Sequence, residues 1–236
     1  MTALALLVTP LPALATFAIN IVGPAPYGGG GITVVDNAAG DTNPAVGVMS
    51  LTAGLGGLPV IPGFSVSIDI GISNSPGGPL SSLVDLAWIL SSLGDVGGTI
   101  TVTASADGFT FPASGVPSIL TSAVGGTLTP VAAGNSVTAQ QWVDLSNLLF
   151  GLGTVTPGVQ GPFTTASFNN TASAAFTSVT PYAITDRLIL TLGADALTTG
   201  DLQSVVTPEP ATMFLAGLGL LGLGYAARRR LFGQLS

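Results

Sequence analysis

Residues 64–73 read FSVSIDIGIS, so that Phe64, Val66, Ile68, Ile70 and Ile72 alternate with Ser65, Ser67, Asp69, Gly71 and Ser73. Successive side chains of a β-strand point to opposite faces, and this spacing gathers every large apolar residue on one of them. A helix, with its period of 3.6, would scatter the same residues around its circumference. Such a strand is stable only when a second layer covers its apolar face. The same period recurs at residues 17–21, 32–35, 99–104, 136–143 and 182–192, with Gly, Pro, Asn and Asp between the runs. The expectation for residues 16–206 is therefore an all-β fold, an antiparallel β-sandwich whose Ser/Thr faces meet water.

Residues 80–93, LSSLVDLAWILSSL, are the ambiguous stretch. Leu83, Leu86, Leu90 and Leu93 fit a helical stripe. The GDVGG turn at residues 94–98 nevertheless leads into TITVTASADGF as a hairpin-like return, which favours a strand. GGTIT from Gly97 and GGTLT from Gly125 echo one another as two equivalent returns, too few copies for a repeat architecture.

Composition removes whole classes of chemistry. Charged residues make up 6% of the chain, and it contains no histidine, cysteine or lysine. Ser-His-Asp and Cys-His nucleophile pairs, thiolate and imidazole metal ligands, phosphate-loop lysines and Schiff bases are all excluded. The glycines Gly28 to Gly31 after Tyr27 read as a flexible turn. Before Glu209 the acids are ten Asp and the only cation is Arg187, a net charge of −9. A body with one cation cannot neutralise a run of phosphates, so no nucleic-acid partner is expected.

Three groups of side chains are candidates for chemistry in the body. Asp36, Asn37, Asp41 and Asn43 place oxygen ligands suited to calcium in one loop, but the spacing lacks the closing Glu of an EF-hand. Asx residues are also ordinary turn formers, and that reading is preferred. Trp88 and Trp142, with Tyr27 and Tyr182, are candidates for a sugar-stacking platform. Trp88 lies in an apolar run and reads as core, leaving Trp142, after Gln140 and Gln141, as the better stacking residue. The aspartates show no spacing that pairs two of them for acid-base work, so no catalytic residue is assigned. Arg187 is expected to pair with Asp186 or Asp195, or to face solvent.

Both ends of the chain read as addresses. Residues 1–15 form an apolar run with Ala13 and Ala15 in the A-x-A spacing of a signal-peptidase site, which predicts cleavage before Thr16. Residues 211–227 are uncharged and as a helix span about 26 Å, within the range of a single transmembrane helix. Arg228, Arg229 and Arg230 follow it, and positive residues stay cytoplasmic, so the body is expected on the outer side of the inner membrane. Gly217, Gly219 and Gly222 spell G-x-G-x-x-G, but no acid follows them and the dinucleotide reading fails.

Pro208-Glu209-Pro210, then Ala211-Thr212, then an apolar glycine-rich run and an arginine cluster resemble the sorting signal of PEP-CTERM proteins. The two prolines around Glu209 force an extended backbone that a protease can read. The resemblance covers roughly the last thirty residues, 207–236. It implies export through an amino-terminal signal, processing by the membrane protease-transpeptidase exosortase, and association with the cell surface and its polysaccharide matrix. By the same resemblance Pro208, Glu209 and Pro210 are the recognition residues, and the arginines the cytoplasmic anchor. Two functions are then expected: a non-enzymatic structural protein of the cell surface or matrix, able to self-assemble through strand edges, or alternatively a carbohydrate-binding module of the polysaccharide matrix.

Overall fold

A computed structural model describes residues 15–24, 28, 31–78, 80–210, 215, 217 and 218. The sorting helix expected at 211–227, all but the last residue of the expected signal peptide and the Arg228–Arg230 cluster lie wholly or mostly outside those residues. Among the described residues no helix is long and apolar enough to cross a membrane.

The strands are β1 (Phe17–Val22), β2 (Ile32–Val35), β3 (Val48–Thr52), β4 (Phe64–Ser73), β5 (Ser82–Ser92), β6 (Gly98–Phe109), β7 (Pro117–Thr129), β8 (Ser136–Asp144), β9 (Gln160–Phe163), β10 (Ser167–Thr177), β11 (Tyr182–Leu192) and β12 (Leu197–Pro208). They build two six-stranded sheets. The first, sheet A, has the order β2-β1-β6-β11-β8-β9, and the second, sheet B, the order β10-β7-β12-β5-β4-β3. Every pairing is antiparallel. The fold is the expected all-β sandwich.

Alternation explains the layering. In β5 the burial alternates strictly along the whole strand, and Val84, Leu86, Trp88 and Leu90 face the other sheet. β11 is buried on both faces from Tyr182 to Thr185 and alternates from Asp186 onward, with Leu188, Leu190 and Leu192 turned to the core. Together with Ile19, Phe64, Ile68, Ile100, Val102, Phe109, Leu120, Tyr182 and Leu202 these side chains form one continuous core between the sheets. Residues 82–92 are thus a strand, and the apparent helical stripe is divided. Leu86 and Leu90 are in the core, whereas Leu93 is exposed beyond the strand end.

Two local expectations are corrected. The GDVGG segment does not close a hairpin: β5 pairs with β4 and β12, and β6 with β1 and β11, so this turn crosses from sheet B to sheet A. GGTIT opens β6, while GGTLT lies at the end of β7, so the echo does not mark equivalent positions. A turn rich in Gly and Asp specifies a reversal but not which layer receives the next strand.

The four edges differ. β2 and β9 are four residues long, and β9 contains Pro162 and an irregular register against β8. β3 is five residues long and its pairing with β4 is interrupted by a bulge. β10 runs eleven residues in unbroken register against β7.

Candidate functional site

The sorting segment grows directly out of the sheet. Val206 is buried and pairs with both Ser82 of β5 and Leu120 of β7. One residue further the β5 flank ends, and Thr207 and Pro208 pair only with Ile119 and Ser118 of β7. Proline has no N–H to give a ladder, which suits a position where one flank is open. The Glu209 amide then donates to the Pro117 carbonyl at 2.9 Å, and Pro210 is exposed. Pro208, Glu209 and Pro210 therefore stand at the rim of the sandwich.

On the outer face of sheet A, the register aligns Asn20, Thr103, Arg187 and Gln140 across four strands. The neighbouring row is Ala18, Ser105, Thr185 and Trp142. The loop after β8 folds back over that second row, where the Phe150 amide donates to Ser105 Oγ at 2.9 Å. Asn20, Thr103, Phe150, Leu152 and Arg187 line a shallow depression. Trp142, the expected stacking residue, is 6% exposed, and the Arg187 guanidinium sits 4.6 Å from its ring centroid. This cation–π contact makes Arg187, rather than the indole, the group presented on that face. Arg187 also reaches Gln140 Oε1 at 3.4 Å. The expected ion pair is not formed, because Asp186 points through to the other side of the sheet and Asp195 accepts from the Gly94 amide. Tyr182 is buried, its hydroxyl donating to the Phe111 carbonyl, and Trp88 is core, with Nε1 at 3.4 Å from Thr198 Oγ1.

Sheet B presents a second polar surface. Asp85 and Asp201 lie on its outer face on neighbouring strands, with Gln203 directly opposite Asp85. Burial, a hydrogen bond to Asp85 and the charge of Asp85, in that order, raise the Asp201 carboxyl from 3.8 to about 6. Beside them Gly125 and Ala123 form a floor without large side chains, flanked by Asn169, Asn170 and Thr171.

A third constellation was missed by sequence reasoning. Asp186 is fully buried between the sheets, and Ser204 Oγ of the opposite sheet donates to its Oδ1 at 2.5 Å. Gln141, its neighbour on β8, accepts at Oε1 from Gln160 Nε2 at 3.1 Å, and Gln160 also donates to Ser122 of β7. Asp186 Oδ2, Gln141 Nε2 and Gln160 Oε1 are buried without partners. Burial holds the Asp186 carboxyl well above the usual range, moderated by Ser204 and reinforced by the charges of Asp85 and Asp201. The signal was present: Asp186 stands in phase with Ile184 and Leu188, and Gln141 in phase with Ala139 and Val143. A polar residue in the apolar phase of a strand marks a buried hydrogen-bonding group.

The loop weighed for calcium turns most of its side-chain oxygens to backbone amides, while Asp36 Oδ1 is buried without a partner. Asp41 Oδ1 accepts from the Asn43 and Ser50 amides at 2.9 and 3.0 Å, and Asp41 Oδ2 from the Asn37 amide at 3.0 Å. Asp36 Oδ2 accepts from Gly47 at 2.8 Å, and Asn43 Oδ1 from Ala45 at 2.9 Å. Asn37 has φ of 58°, a conformation Asn tolerates. Among the described residues no three acidic groups converge as metal ligands. Asp36, Asp41 and Asn43 thus build a turn.

Comparison with known proteins bears on the terminal segment. The PEP-CTERM protein-sorting motif matches residues 206–230. That motif marks proteins exported and sorted to the cell surface or extracellular space through a membrane-associated exosortase. No curated protein matches the sequence. Among solved structures, the enzymatically active domain of bacteriophage CBA120 tailspike protein 4 is 9% identical with a TM-score of 0.29, over 63% of this chain and only 20% of the tailspike chain. TmCBM61, solved with β-1,4-galactotriose, is 11% identical with a TM-score of 0.30, over 63% of this chain and 90% of that one. The CBM22-1 xylan-binding domain of Paenibacillus barcinonensis Xyn10C is 8% identical with a TM-score of 0.30, over 67% and 85% of the two chains. Likeness at this level carries no argument about ligand.

Proposed function

We propose that this PEP-CTERM protein is a non-enzymatic structural component of the cell surface or extracellular matrix, with the sandwich as the cargo of its sorting segment. The observation that carries the reading is the continuity of β12. The residues matched by the sorting motif begin at Val206, inside a strand paired on both flanks, so the delivered unit is the folded sandwich itself. Exosortase reads Pro208, Glu209 and Pro210, held at the rim of the sheet. In a host carrying its exosortase, Glu209→Ala is expected to leave an unprocessed, membrane-retained precursor. Normal processing and release of that variant would sink the reading.

A second reading, binding of matrix polysaccharide, is favoured by the outer face of sheet A. Arg187, stacked on Trp142 and flanked by Asn20, Thr103 and Gln140, offers donors and acceptors in one row to sugar hydroxyl groups. Gel retardation in matrix polysaccharide distinguishes the two. Retardation lost on Arg187→Ala supports binding, and unretarded migration of the parent protein leaves the structural role alone.

A further inference from the structure

We infer that β10 is a self-pairing edge, at which two copies of the chain join antiparallel about a two-fold axis through Ala172 and fuse their sheets. This rests on the structural reading above and names its partner, a second copy.

The other sheet edges are blunted. β2, β3 and β9 are short, and β9 carries a proline. Edges left long, flat and uncharged are templates for strand addition. β10 is eleven residues long, has no proline or charge, and bonds only to β7. Its free edge offers backbone donors and acceptors in the alternation an antiparallel strand requires.

The sequence SFNNTASAAFT is nearly symmetric about its middle residue, Ala172. An axis there sets Thr171 against the partner's Ser173 and Ser167 against the partner's Thr177, two hydroxyl pairs on the outer face. It sets Asn169 against the partner's Ala175 and Asn170 against the partner's Ala174. On the inner face Phe168 meets the partner's Phe176, the kind of aromatic pair that stabilises adjacent strands. Both rings are already fixed: Phe168 stacks on Phe163 at 4.9 Å, and Phe176 packs edge-on against Tyr182 at 6.4 Å. The junction would continue the aromatic lining of the core from one copy to the next. Charge argues for the same occupant. Two bodies of like negative charge meet best where neither carries an ionised group, and β10 is such a strip. An isologous contact of this kind closes as a dimer.

The chain contains no cysteine, so one introduced thiol reports on one position. Directly opposed residues of an antiparallel pair lie about 4.5–5.5 Å apart at Cα, within disulfide reach. Ala172→Cys in the full chain, purified in detergent and oxidised, is expected to yield a covalent dimer. Thr33→Cys on the β2 edge is expected to remain monomeric under the same oxidation. Ser173→Lys, which brings like charges across the axis at an exposed position, is expected to shift the sedimenting species from dimer to monomer with an unchanged β-sheet circular dichroism signal. The inference is overturned if the two cysteine variants cross-link equally, or if the lysine variant sediments as the parent does. Failure here is distinct from failure of the delivery reading: a monomer that is still processed and released refutes only the pairing, and a dimer whose processing ignores Glu209 refutes only the delivery.

Discussion

The backbone nitrogen of Thr16 lies 2.6 Å from Asp107 Oδ1, and the Asp107 amide donates back to the Thr16 carbonyl at 3.0 Å. Thr16 is the residue at which the A-x-A spacing predicts signal-peptidase cleavage. Cleavage there would turn the neutral amide into an α-ammonium group already seated on a carboxylate, giving a body with one arginine a second cation. Hydrogen bonds to charged groups are worth about 1.5–3 kcal/mol. Sequencing of the exported protein is expected to begin at Thr16. Asp107→Ala is expected to cost about that much in its unfolding free energy, and less in the uncleaved precursor.

Asp186 supplies a pH prediction. Its carboxyl is raised above the ordinary 3.8 by burial, so the folded state holds this proton more tightly than the unfolded chain. The group's contribution to stability is complete below the unfolded value and is lost as pH rises through the raised one. At neutral pH the buried site is a liability. Asp186→Asn keeps an acceptor for Ser204 without the charge, and is expected to stabilise the protein at neutral pH by roughly 1–3 kcal/mol. Chemical denaturation at pH 4 and pH 8 checks this: the gain is expected to vanish at the lower value.

Asp201 adds a second, milder dependence with the same sign. Its carboxyl titrates at about 6 rather than 3.8, next to Asp85. Stability is expected to fall as pH rises from about 4 to above 6, where the Asp201 carboxyl becomes ionised beside Asp85. Asp201→Asn is expected to flatten that slope in a thermal-unfolding series across this range.

Gly200 shows how tightly neighbouring strands of sheet B pack on its inner face. A Cβ at this position would overlap the Trp88 ring and the Gly125 carbonyl. Gly200→Ala is therefore expected to destabilise the fold by roughly 1–3 kcal/mol, the range for overpacking a filled core. Gly134→Ala meets no atom within 4 Å and its φ of 94° isolates the backbone penalty, so comparing the two midpoints separates steric overlap from conformational strain.

The layered fold was legible because alternation is local: Val84, Leu86, Trp88 and Leu90 share a face on any strand that contains them. The layer each strand joins was not legible, since the Gly94–Gly98 turn has the same composition whether it closes a hairpin or crosses between sheets. Site geometry failed for a related reason. Trp142 and Arg187 lie far apart in sequence, and only the β8–β11 register stacks one on the other. The aspartates were all visible, but the partners of Asp186 come from both sheets and from strands whose neighbours no local pattern specifies. The sorting motif was legible because its order along the chain is itself the signal.

The paired flanks of β12 have a mechanical meaning. A tether pulled from Pro208 draws the strand along its own axis, between β7 on one side and β5 on the other. Only Thr207 and Pro208, held on one flank, peel away singly. Beyond Val206 the ladders on both sides are loaded together in shear, and many bonds must fail at once. A protein fixed to a surface by this end would transmit drag into its strongest direction.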